Sequence, residues 1–182
     1  MLDKLLDLVR QNSNDAITSN PSIPNEKNEQ AVETAGSSIM DTLKNALSGG
    51  NINDVLGYFK GGAAAAPNLV QEATGNYAQN LQNKLGIDAG QAQSVAGKVV
   101  PQTMNQLATK AADSSDNSFN IQDIFNNLSG GKTGGLNIQG MLNKFGGGQL
   151  DKDNDGDVDL QDLKSMFAGG SGGLMDKVKG MF

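Results

Sequence analysis

Six aspartates fall within twelve residues, in the string D-K-D-N-D-G-D-V-D-L-Q-D at 151–162. A loop that wraps a calcium ion needs oxygen ligands at positions 1, 3 and 5, a backbone carbonyl at 7, and a carboxylate at 12. Asp151, Asp153 and Asp155 supply the first three, and Asp162 closes the ring. Asp157 offers its main-chain oxygen, and Asp159 at position 9 binds directly or through a water. Gly156 at position 6 permits the sharp turn, and Val158 at position 8 is the apolar plug. Six carboxylates this close repel one another without a cation, so the pattern favours an occupied site. Ca²⁺ is the expected ion, with Mg²⁺ the alternative. Asp at position 12 is one methylene shorter than Glu, so bidentate closure tightens the loop and weakens Ca²⁺/Mg²⁺ discrimination.

The rest of the chain offers little other chemistry. Cysteine and histidine are both missing from the 182 residues, which removes disulfides, thiolate catalysis, ordinary zinc sites and every His-dependent triad. The Gly-x-Ser-x-Gly string at 169–173 sits in a glycine run with no strand pattern before it, and Gly131-Lys132-Thr133 lacks the first glycine of a phosphate loop, with Asn126 in its place. The expectation is a non-enzymatic protein with no catalytic residues. Net charge is −6, of which the loop, with six Asp against one Lys, holds −5. The body is therefore nearly neutral, and Arg10 is the lone arginine, so nucleic acid is not an expected partner.

The elements that must position the loop read as helices. Leu2, Leu5, Leu6 and Val9 share a face over 2–11, and the Asn-, Ser- and Pro-rich stretch after them reads as a linker. A second helix starts near Glu26, with Val32, Ala35, Ile39, Leu43 and Leu47 as its stripe and Gly49-Gly50 as its stop. A third begins at Pro67 and carries Val70, Ala73, Tyr77, Leu81 and Leu85, with Gly86 as a left-handed cap. Asp88 with Gln91 opens a fourth through Ala92, Val95 and Val99, where Pro101 predicts a kink or break before Met104, Leu107 and Ala111. KAADSSDNS then reads as a polar linker. Tyr58 and Tyr77 lie on helical faces, which assigns them to the core.

A twelve-residue repeat organises the remainder: NINDVLGYFKGG (51–62), NIQDIFNNLSGG (120–131), NIQGMLNKFGGG (137–148) and DLQDLKSMFAGG (159–170). Position 1 is Asn51, Asn120, Asn137 or Asp159, all good N-caps. Position 4 is Asp54, Asp123, Gly140 or Asp162, so three units place an acid in the first helical turn. Position 9 is Phe59, Leu128, Phe145 or Phe167, and paired glycines follow. Each unit predicts a helix of about two turns, too short to stand alone in water. Asp159 and Asp162 serve both the fourth unit and the cation loop.

The segment DKDNDGDVDLQDLKSMF resembles the calcium loops of the EF-hand superfamily, particularly the dockerin type, which also carries Asp at position 12 followed by Leu, here Leu163. It departs from dockerins in having one loop rather than two and in a lead-in interrupted by Gly146-Gly147-Gly148. The resemblance implies metal binding rather than dockerin-type docking. The stretch LQNKLGIDAGQAQSVAGKVVPQTMNQLATKAAD (81–113), with LSGGNINDVLGYF before it, resembles YidB-like bacterial proteins across about 30–130. That likeness implies an all-helical bacterial fold of no assigned activity.

The expected architecture is all-α: a small helical bundle with short Gly-punctuated helices and a single EF-hand-type loop. Three segments are expected: an N-terminal helix and linker (1–24), a helical YidB-like body (25–115), and Gly-rich short-helix repeats with the calcium loop (116–182). The expected function is a calcium-binding structural or protein-interaction module in which Ca²⁺ orders the C-terminal helix. Its partners would be another protein or further copies of itself, met through the short amphipathic helices. The alternative is a membrane-surface or cargo-like protein docking through its terminal helices, 2–11 and 174–182. MLDKLLDLVRQ has acids inside its apolar stretch, unlike a signal peptide, and no run of about 18 apolar residues occurs. The default location is cytoplasmic, with export lacking a cleaved signal as the alternative.

Overall fold

A computed structural model describes residues 1–113, 115–116, 118–133, 135 and 137–144. Among these residues the fold is an all-α bundle without strands. Its helices are α1 (Leu2–Ser13), α2 (Asn28–Ser48), α3 (Ile52–Gly61), α4 (Pro67–Leu85), α5 (Ala89–Ala112), α6 (Ile121–Leu128) and α7 (Ile138–Lys144). The long helices α2, α4 and α5 form the frame, with α4 packed on both others. On that frame α1 lies against α2 and α5, and α3 lies against α2 and α5. A short helix on α2's flank, α6, leads to α7, which packs on α6 and α3.

Local sequence explains how the frame turns its corners. Pro67 starts α4, where its missing N–H costs nothing. Gly86 ends α4 at φ 67° and ψ 25°, its N–H bonding Gln82 O at 3.0 Å while Ile87 N–H reaches Leu81 O at 3.2 Å. Asp88 then caps α5, its Oδ1 accepting from Gly90 N at 2.9 Å and Gln91 N at 3.3 Å. Between α2 and α4 runs a polar seam: Asn80 Nδ2 donates to Ser38 Oγ at 3.0 Å, and Asn76 Nδ2 to Thr42 Oγ1 at 2.9 Å. Such pairs pin the register of two otherwise slippery apolar faces. Tyr58 and Tyr77 are fully buried, and each hydroxyl donates to a carbonyl, Met104 O at 2.6 Å and Ala31 O at 3.0 Å.

One expectation is narrowed and one is corrected. Of the kink or break expected at Pro101, the break does not occur, and helix α5 continues through it. Gly97, whose carbonyl loses its usual partner, is exposed, while Val99, Val100, Thr103 and Met104 around the proline are buried. Packing on both sides of the proline holds the helix against a penalty that water at Gly97 reduces. The stretch after α1, expected as a linker, continues as a π-helical turn, Asn14–Thr18, and buries Ala16, Ile17 and Ile23 in the core. Ala16 and Ile17 lie seven and eight residues after Val9, on the helical period, and Ile23 lies beyond the turn, but the Asn, Ser and Pro around them made the stretch read as a linker.

Candidate metal centre

The predicted ligands Asp151, Asp153, Asp155, Asp157, Asp159 and Asp162 lie outside the described residues, as do the fourth repeat unit and the segment 174–182. Among the described residues no group of three or more His, Cys, Asp or Glu side chains could hold a metal ion. What the described residues do hold is the geometry of the first units of the repeat into which the loop runs.

That geometry recurs at the start of two of the three described units and on the buried face of all three. In α6, Asn120 Oδ1 accepts from Gln122 N at 2.8 Å and Asp123 N at 3.4 Å. In the unit that follows, Asn137 Oδ1 accepts from Gly140 N at 2.8 Å. Asn51, the corresponding residue of α3, makes no side-chain cap. Positions 2, 5 and 6 are buried in all three units: Ile52, Val55 and Leu56; Ile121, Ile124 and Phe125; Ile138, Met141 and Leu142. The first two units touch directly, with the rings of Phe59 and Phe125 5.6 Å apart. Gln122 ties the second to the third, donating to Thr133 O at 3.2 Å and accepting from Ile138 N at 3.1 Å.

Acidic groups that sequence reasoning passed over join α5 to α6. Asp113 Oδ1 accepts from Ser115 N at 2.8 Å and Ser115 Oγ at 2.6 Å. Asp116 Oδ1 accepts from Ser118 N at 2.8 Å, while its Oδ2 meets Lys110 Nζ at 3.0 Å. The Asp-x-Ser spacing was the signal for these turns, legible as Asx turns rather than a loose linker. Hydrogen bonds from Ser118, then Lys110, hold the Asp116 carboxyl down at about 2, and those from Ser115 lower Asp113. Both stay ionised at neutral pH, the opposite of the raised pKa a general acid needs. Beside them is a 380 Å³ pocket lined by Phe119, Asn120, Gln122 and Gln139.

The chain matches no protein-family model, no curated protein and no solved structure.

The other candidates resolve into packing. Burial pushes the Tyr58 and Tyr77 phenols well above their ordinary range, and both serve as core hydrogen-bond donors. Ser38 is buried in the α2–α4 seam. Leu5, Leu8 and Val9 of α1 are 0–2% exposed while Leu2 is 43% exposed, so that helix spends most of its apolar face on the bundle. No helix among the described residues is long and apolar enough to cross a membrane.

Proposed function

We propose that this chain is a calcium-binding, non-enzymatic structural or protein-interaction module, in which one Ca²⁺ held by loop 151–162 orders the helix beginning at Asp159. The observation that carries the reading is the register between loop and repeat. In the second and third units the position-1 side chain accepts from first-turn N–H groups. The fourth unit has Asp159 at that position and Asp162 at position 4, and these are loop positions 9 and 12. A carboxylate has two oxygens and about four lone-pair directions, enough to serve a cation and a helix N-terminus together. The cation would thus replace neighbouring protein as the organiser of a two-turn helix that cannot form alone.

The likeness to YidB-like proteins is part of the same proposal and supports a helical body of no assigned activity. Docking on a membrane through helix 2–11 draws little support from a face mostly buried in the bundle, with Leu2 its one exposed apolar side chain.

Titration calorimetry with Ca²⁺ and with Mg²⁺ tests the proposal. The expected result is one site per chain in the wild type, lost in Asp151→Ala/Asp155→Ala, with helical circular dichroism rising as Ca²⁺ binds. Absence of binding heat for either cation in the wild type overturns it.

A further inference from the structure

A groove of about 320 Å³ lies between the last turn of α2 and the turn that follows α6, lined by Lys44, Leu47, Ser48, Leu128, Gly130 and Lys132. Its floor is leucine, and the lysines at its edge are exposed and form no ion pair among the described residues. We infer that this groove is the seat of the chain's own fourth repeat unit, residues 159–170, with the aspartate-rich loop lying against Lys44 and Lys132. The inference rests on the calcium reading only for what orders the helix; the seat itself is argued separately.

Charge is the first argument. Loop 151–162 carries six Asp against one Lys, and even with a bound Ca²⁺ it remains net negative. Exposed lysines flanking an apolar floor are its complement, in a body whose charge is otherwise nearly balanced.

Shape is the second. The described units bury positions 2, 5 and 6, placing Leu56, Phe125 or Leu142 at position 6 in the core. The fourth unit has Lys164 there, which narrows its apolar stripe to Leu160, Leu163 and Phe167. A stripe one row wide, bordered by a cation, suits a surface groove better than a core position. Like the others, a helix of this length needs a neighbour to persist.

Reach is the third. From Lys144 to Asp159 the chain spans fifteen residues, roughly 50 Å when extended. A body of this size has a radius of gyration of about 15 Å, so the groove is within range of the same molecule.

The chain has no cysteine, so Asn45→Cys gives a single spin-labelling site. Asn45 is exposed and does not line the groove. In the full-length, isotope-labelled, Ca²⁺-loaded chain, amide signals of 159–170 should broaden, and reducing the label should restore them. Lys44→Glu/Lys132→Glu should lower the docked fraction about fivefold, the size expected of two partly exposed ion pairs. Leu163→Ser/Phe167→Ser, which leaves every aspartate in place, should abolish the broadening while calorimetry still records Ca²⁺ binding. Sharp signals for 159–170 in a sample that calorimetry shows to be Ca²⁺-loaded would overturn the seat and leave the calcium reading standing. Broadening without any bound ion would support the seat and overturn the calcium reading. Broadening only between chains, in a mixture of spin-labelled and isotope-labelled protein, would assign the groove to a second copy and overturn the intramolecular seat.

Discussion

The long helices and the repeat helices of this bundle are stabilised by different means. Helices α2, α4 and α5 combine local caps with polar ties to one another. Gly86 and Asp88 turn one into the next, Lys27 Nζ donates to Leu85 O at 2.7 Å at the end of α4, and the Ser38–Asn80 and Thr42–Asn76 pairs set the register. The repeat helices α3, α6 and α7 carry an asparagine and a few apolar side chains, and draw their order from one another and from the frame. Helices of two or three turns persist only on a neighbour. A unit lacking a core position must find order elsewhere, and the unit with the polar residue at position 6 is the one with the aspartate loop at its start.

The sharpest way to break this comparison is to remove the contact between the first two units. Phe59→Ala deletes a buried ring that touches both Tyr58, at 4.7 Å between centroids, and Phe125. The expected loss is about 3–5 kcal/mol of unfolding free energy by urea titration. Amide-exchange protection should fall further in α6 and α7 than in α4. Uniform loss across all helices would mean that repeats and frame are one cooperative unit, and the distinction would fail.

A smaller effect is expected at the corner of the frame. Gly86→Ala meets no atom within 4 Å, so its cost is purely that of holding a side-chain-bearing residue at φ 67°. About 1 kcal/mol should be lost. A neutral substitution would show that packing, rather than local backbone preference, fixes the α4–α5 turn.

How much of this was legible beforehand follows the same division. The Gly86 and Asp88 caps, the Pro67 start and the apolar stripes of α2, α4 and α5 were readable because each is a local preference written at its own position. The three described repeat helices were readable from their period. Continuity through Pro101 was not, since it depends on what surrounds Val100 and Met104 rather than on proline itself. Burial of Ile17 and Ile23 was hidden by the Asn, Ser and Pro around them. The groove could not be foreseen, because Lys44 and Lys132 are brought together only when α6 settles on α2. The aspartates proposed as ligands lie outside the described residues, so their spacing remains the basis for the proposed centre.

Within the repeats, the caps offer a finer comparison. Asn120→Ala should cost about 1 kcal/mol, because it strands the N–H groups of Gln122 and Asp123. Asn51→Ala should cost measurably less, since Asn51 makes no side-chain cap. Thermal melts of the two variants side by side are the check. Equal losses would show that position 1 acts through its backbone and not through its side chain, weakening the parallel drawn to Asp159.

The smallest effect concerns the turns that join α5 to α6. Asp116 is held at about 2 by Ser118 and Lys110, below the value near 3.9 of a carboxyl in an unfolded chain. The folded state therefore favours the ionised form. Its contribution is complete above pH 4–5 and is lost as pH falls toward about 2. Asp116→Asn should consequently be less stable than wild type at pH 6, with the gap narrowing below about pH 4 and closing near pH 2. Because Lys110 is partly exposed, added salt should shrink its share of the gap at pH 6 while leaving the share due to Ser118. Urea titrations of both proteins across that range decide the matter. A gap independent of pH would mean that the side chain acts by shape and hydrogen bonding alone, and that ionisation of this turn plays no part in holding α6 to α5.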